Sequence, residues 1–97
     1  MLFCGKPMNS SDTEQRAKIF AALSDPTRLR IVELLAEKGE LSSSEIAHQL
    51  EISLALLCHH IKVLVEAGLV QTRKEGQTKY SSLNRELMMA CFTSFTQ

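Results

Sequence analysis

Two helix-start signals eleven residues apart constrain this chain more than any other feature. Ser42 is followed three positions later by Glu45. That is the spacing of a capping box, in which each side chain satisfies a backbone N–H that the helix start leaves unpaired. Ser53 supplies a second serine N-cap. Between the two there is room only for a short helix over 43–50 and a tight connector, Glu51-Ile52. The second helix is predicted over 54–67, where Gly68 stops it. Two helices joined by about three residues give the helix-turn-helix pattern.

The flanking segments narrow the architecture. A helix is predicted over 12–23, with Ala17, Ile19, Phe20 and Leu23 as its apolar stripe and Arg16 and Lys18 outside it. Asp25 can cap the next helix, and Pro26 suits a first turn, where its missing N–H costs nothing. That helix runs to about residue 38. Leu29, Val32, Leu35 and Ala36 repeat at helical spacing, Ile31 and Leu34 widen the buried face, and Gly39 ends it. After the helix pair, 69–73 and 78–83 are β-compatible and flank Lys74-Glu75-Gly76-Gln77, a turn containing glycine. A hairpin at this place is a wing, with Arg73, Lys74 and Lys79 at its tip. Asn84 caps a last helix over 85–97, with Leu83 and Met88 placed as a hydrophobic staple. The expected fold is mainly α with a β-hairpin wing, in the order α-α-α-α-β-β-α. Residues 1–11 read as a loose arm and 12–97 as one domain.

A chain of 97 residues buries a modest core and gains from a second copy. The end helices lie furthest from the helix pair, so Ile19, Phe20, Leu23, Leu87, Met88, Cys91, Phe92 and Phe95 are the expected homodimer face. The competing reading is that these residues close the core of a single chain. No apolar run approaches the roughly 20 residues of a membrane span, and the first eleven residues carry no secretory pattern. A cytoplasmic protein with no membrane partner is expected.

Formal net charge is zero, yet its distribution is uneven. Residues 31–55 hold five glutamates against one lysine, whereas 56–85 hold five cations against two glutamates. A positive segment can still face phosphates, because fields act locally within a Debye length of about 8–10 Å. At about 100° per residue, Leu57, Ile61 and Leu64 share the core side of the second helix of the pair. Ala55, His59, Lys62 and Glu66 point outward, toward a major groove if the helix docks there. His59 can donate to a phosphate or a base edge. Lys62 can neutralise a phosphate or stand as an ordinary solvated lysine. His60 lies beside the core face and reads as a packed histidine. Candidate contacts with double-stranded DNA are Ser53, Ala55, Leu56, His59 and Lys62 on the helix, and Arg73, Lys74, Gln77 and Lys79 on the wing.

Three blocks carry a family resemblance: Ala22-Leu23-Ser24-Asp25-Pro26-Thr27-Arg28-Leu29-Arg30-Ile31, then His59-His60-Ile61-Lys62-Val63-Leu64 with Glu66-Ala67-Gly68-Leu69-Val70, then Arg73-Lys74-Glu75-Gly76-Gln77-Thr78-Lys79-Tyr80. Over about residues 15–90 the chain resembles the ArsR/SmtB family of winged-helix repressors. The resemblance implies a homodimer that binds an imperfect palindrome in its own promoter, with release by a metal ion, metalloid or oxidant. It also implies that His59 contacts DNA. One departure stands out. The family carries small polar residues at the start of the reading helix, whereas this chain has Leu54-Ala55-Leu56-Leu57. The extra leucines touch thymine methyl groups, are buried, or engage a protein partner.

The three cysteines, Cys4, Cys58 and Cys91, are odd in number and widely spaced, so they make neither a disulfide framework nor a CxxC zinc motif. The family's cysteine-pair metalloid motif has no counterpart in Glu40-Leu41-Ser42-Ser43-Ser44-Glu45, and the last helix lacks the Asp and His of its other site. Cys58, His59 and His60 are helix neighbours pointing about 100° apart, a poor chelate. No metal site and no definite cofactor are expected. Cys58 sits toward the positive half of the reading helix with Lys62 one turn on, which favours a thiolate. Cys4, Cys58 and Cys91 are therefore candidate sensors of arsenite or another thiol-binding metalloid, set against plain buried or incidental thiols. There is no phosphate-binding glycine loop or H-E-x-x-H motif, and Ser53 and Asp25 have no evident base, so catalysis is not expected. The rival readings are a winged-helix protein-interaction module and a constitutive DNA binder without inducer.

Overall fold

The computed structural model describes residues 10–96. The expected arm therefore lies outside the described residues except for Ser10 and Ser11, which already belong to α1 (Ser10–Leu23). Of the predicted stripe in α1, Ile19 is buried and Leu23 half-buried, while Ala17 and Phe20 face solvent; Ala22, outside the stripe, is buried in their place. Asp25 accepts a hydrogen bond from the Arg28 backbone N–H at 3.0 Å and so caps α2 (Pro26–Lys38), with Pro26 in the first turn. Ile31, Val32 and Leu35 form the buried side of α2. Leu29, expected in the core, is 40% exposed.

The chain then makes a two-residue strand that the sequence did not predict, β1 (Leu41–Ser42). Ser42 is both the end of that strand and the N-cap of α3 (Ser43–Leu50). The capping box forms as spaced: the Glu45 N–H donates to Ser42 Oγ at 3.1 Å, and the Ser42 N–H donates to Glu45 Oε1 at 2.9 Å. Glu51 takes a left-handed conformation (φ 57°) to end α3, and Ser53 Oγ accepts from the Leu56 N–H at 3.0 Å to start α4 (Leu54–Glu66). Ile46 of α3 and Leu57 and Leu64 of α4 are fully buried with Ile31 and Leu35 of α2. The helix pair is thus fixed to α2 through one apolar core.

Gly68 turns the chain out of α4 at φ 86°, and a Cβ there would lie 2.8 Å from Leu87 Cδ2. The position therefore favours glycine for its left-handed conformation, and a Cβ would also make the Leu87 side chain shift. The hairpin follows as β2 (Val70–Glu75) and β3 (Thr78–Leu83). The antiparallel sheet has the order β1-β3-β2, with Leu41 opposite Ser81 and Ser42 opposite Tyr80. Asn84 Oδ1 accepts from the Leu87 N–H at 3.2 Å and caps α5 (Arg85–Thr93). That helix stops short of the expected residue 97, and Phe95 lies in the turn beyond it.

The two end helices divide their apolar residues. Ile19 and Cys91 are buried and belong to the core of the single chain, with Leu23, Leu87 and Met88 packed half-buried against it. Phe20, Phe92 and Phe95 remain exposed.

Candidate nucleic-acid interface

α4 presents two faces, as its periodicity predicts. Leu57, Ile61 and Leu64 are buried, and Ala55, His59, Lys62 and Glu66 are exposed. Ser53 is exposed at the N-terminal end, although its hydroxyl oxygen already accepts the capping hydrogen bond. Leu54 and Leu56 are 51% and 44% exposed, which removes burial as the explanation for the extra leucines. His60 is buried, and its Nδ1 lies 3.3 Å from Arg28 Nη1 and 4.0 Å from Asp25 Oδ2. It ties α4 to the start of α2, while the His59 ring, 5.4 Å away, stays outside.

The wing differs in detail from its expected form. Its turn is Gly76-Gln77, with Gly76 at φ 63°, and Lys74 pairs directly opposite Lys79 near that end. Lys74, Gln77 and Lys79 are exposed. Arg73 lies one rung back, opposite Tyr80, and is not at the tip. Its guanidinium donates to both carboxylate oxygens of Glu40 (2.8 and 2.7 Å) and to Glu75 (3.0 Å), and it stacks 4.6 Å from the Tyr80 ring centre. The Arg73 side-chain hydrogen bond holds the Glu40 carboxyl below its ordinary pKa. The two carboxylates in turn push the guanidinium pKa up. Sequence reasoning missed Glu40, because its partner is 33 positions away and no local signal marks the pair. The Ser43 hydroxyl also reaches the Lys79 carbonyl at 3.5 Å, so the start of α3 braces the wing.

The cysteines are separated by environment. Cys58 is exposed on α4, and Cys91 is buried, where desolvation pushes its thiol pKa up against the opposing effect of Arg16. Cys4 lies outside the described residues. Among the described residues, no three His, Cys, Asp or Glu side chains are grouped so as to hold a metal ion. No helix among them is long and apolar enough to cross a membrane.

A braced helix-turn-helix whose second helix is exposed, followed by a basic-tipped hairpin, defines a winged helix-turn-helix DNA-binding protein. Residues 23–73 match the family described as a helix-turn-helix domain. Over 98 aligned residues the chain is 39% identical to the uncharacterized HTH-type transcriptional regulator YceK of Bacillus subtilis, covering 100% of this chain and 98% of that one. It is 39% identical over 75 residues to the arsenical resistance operon repressor of Staphylococcus xylosus, 77% of this chain and 71% of that one. Its fold matches the solution structure of the homodimeric winged helix-turn-helix domain Mb0332 from Mycobacterium bovis, with TM-score 0.76, 25% identity, and 96% and 87% of the two chains covered. The chain belongs to the ArsR/SmtB family of winged helix-turn-helix transcriptional regulators. It is a DNA-binding regulator and not an enzyme.

Proposed function

We propose that this chain is a cytoplasmic repressor that binds an imperfect palindrome in its own promoter as a homodimer. The observation that carries the homodimer is the exposed aromatic cluster on the end helices. The Phe20 ring centre lies 6.2 Å from that of Phe92 and 5.9 Å from that of Phe95, and Arg16 stands 5.2 Å over Phe95. Three adjoining aromatic rings left to water are costly for a small domain and are covered by a second copy. The Mycobacterium bovis neighbour is described as homodimeric, which supports the same arrangement here. A twofold dimer presents two α4 helices to two half-sites about one helical turn apart.

Release by a thiol-binding metalloid such as arsenite fits Cys58 among the described cysteines. It is the exposed one and stands on the flank of the outward face of α4, so bulk added there opposes docking on DNA. The arsenical resistance operon repressor among the relatives supports that class of inducer. Cys91 is too buried to serve without opening the domain.

Footprinting of the chain's own promoter, paired with a solution mass measurement, tests the proposal. The expected outcome is a dimer protecting two half-sites about one helical turn apart around a dyad. A monomer, or protection without dyad symmetry, contradicts it.

A further inference from the structure

We infer that Leu54 and Leu56 make the first turn of α4 a reader of thymine methyl groups, so that each half-site carries thymine at the base pairs this turn covers. The inference rests on the DNA-binding reading of α4 and adds what that helix selects.

Both leucines are large, apolar and about half exposed, beside the serine cap that begins the helix. In helix-turn-helix docking the N-terminal residues of the second helix meet the base edges. Here positions 54–57 are Leu-Ala-Leu-Leu, with no side-chain donor or acceptor among them. This turn cannot form the bidentate hydrogen bonds that distinguish guanine or adenine. What it can recognise is the one apolar group in the major groove, the C5-methyl of thymine.

The arrangement on the helix fits that group. With successive residues about 100° apart, Ala55 points between the two leucines, which project on opposite flanks of the exposed face. A short side chain facing the groove floor lets the helix approach closely. The leucines then reach toward the sides of the groove, where a thymine methyl projects toward its own strand's backbone.

The surroundings select DNA over an apolar protein partner as the occupant. The leucines continue the outward face that carries His59 and Lys62, and Lys74 and Lys79 stand on the wing beside the same helix pair. This cationic setting complements phosphates on either side of a groove. Glu66, the acidic member of that face, lies at the opposite end of α4.

The probe is the promoter fragment made by amplification with either thymidine or deoxyuridine triphosphate, which differ by the methyl alone. Burying one methyl contributes about fourfold in affinity. With one methyl for each leucine in each half-site, four in all, the dimer should bind the uracil fragment about 200-fold more weakly. The double variant Leu54→Ser with Leu56→Ser should bind both fragments equally, and each single variant should lose part of the difference. Both positions are exposed, and circular dichroism confirms that the variants keep their helices. Lys62→Ala should weaken both fragments alike and leave their ratio unchanged. Equal affinity of the unaltered protein for both fragments overturns the inference while leaving DNA binding intact. So does a ratio that survives in the double variant, because uracil would then act through DNA shape. Binding to neither fragment overturns the operator reading itself and assigns the leucines to a protein partner.

Discussion

Arg73 and Glu40 form a bidentate pair, with Nε and Nη2 donating to the two carboxylate oxygens at 2.8 and 2.7 Å. The pair fastens β2 of the wing to the residue just ahead of β1. A third donor, Nη1, is taken by Glu75 at 3.0 Å, and Tyr80 supports the guanidinium from one side. Three of its five N–H groups are thus held by carboxylates that offset its charge, which makes Arg73 a weaker phosphate contact than Lys74 and Lys79 at the turn end.

Salt titrations separate those roles. Lys74→Ala and Lys79→Ala should each reduce the slope of log affinity against log salt by about one unit. Arg73→Ala should change the slope much less, because the charge it removes is offset by Glu40 and Glu75. Glu40→Gln, which loosens the pair, should strengthen DNA binding if Arg73 exchanges onto phosphate. A slope change of a full unit in Arg73→Ala would identify Arg73 as a standing phosphate contact instead.

The exposed aromatic cluster predicts a variant that separates assembly from folding. Phe92→Glu should give a folded monomer by sedimentation, with the helical spectrum retained and operator affinity lost. Ile19→Ala, at a buried position of the same two-helix layer, should instead destabilise the fold by about 2–5 kcal/mol. If Phe92→Glu sediments as a dimer, the interface lies elsewhere.

The cysteines should differ in reactivity. An aromatic disulfide reagent should modify Cys58 in the native protein and Cys91 only on unfolding, because burial both covers Cys91 and raises its pKa. Bound DNA should slow the reaction at Cys58. Equal rates with and without DNA would place Cys58 outside the interface and remove it as the point of release.

Acid should weaken the start of α2. The Asp25 carboxyl is held below its ordinary pKa, chiefly by the hydrogen bond from the Arg28 backbone N–H. A carboxylate whose folded pKa is depressed contributes stability above its unfolded pKa and loses it as pH falls through the folded one. Asp25→Asn keeps a good cap without the charge. Its thermal midpoint should therefore fall less steeply than that of the unaltered protein below about pH 4. Parallel acid profiles for the two proteins would contradict the role assigned to the Asp25 charge.

Much of the fold is legible in the sequence because its start signals are local. Asp25 with Pro26, Ser42 with Glu45, Ser53 and Asn84 each act within four residues, and each forms its cap. The core side of α4 follows from periodicity alone. What escaped reading depends on tertiary placement. β1 has two residues, too few to show alternation, and exists because β3 comes alongside. Ile19 and Phe20 are adjacent and equally apolar, and only the packed structure separates the buried one from the exposed one. α5 ends early although Phe95 continues its apolar pattern. Thr93 Oγ1 donates to the Met89 carbonyl (2.8 Å) and Ser94 Oγ to that of Cys91 (2.6 Å), local bonds that compete with continued helix. On the interface, outward His59 and Lys62 were readable from spacing, but the Glu40 partner of Arg73 was not.

The central claim is that α4 and the wing dock on DNA through phosphate contacts. Fluorescence anisotropy of a labelled fragment of the chain's own promoter, titrated with reduced protein at two salt concentrations, tests it most directly. The account predicts tight binding that weakens steeply as salt rises, with Lys62→Ala lowering the slope by about one unit. Weak binding that ignores salt would contradict it.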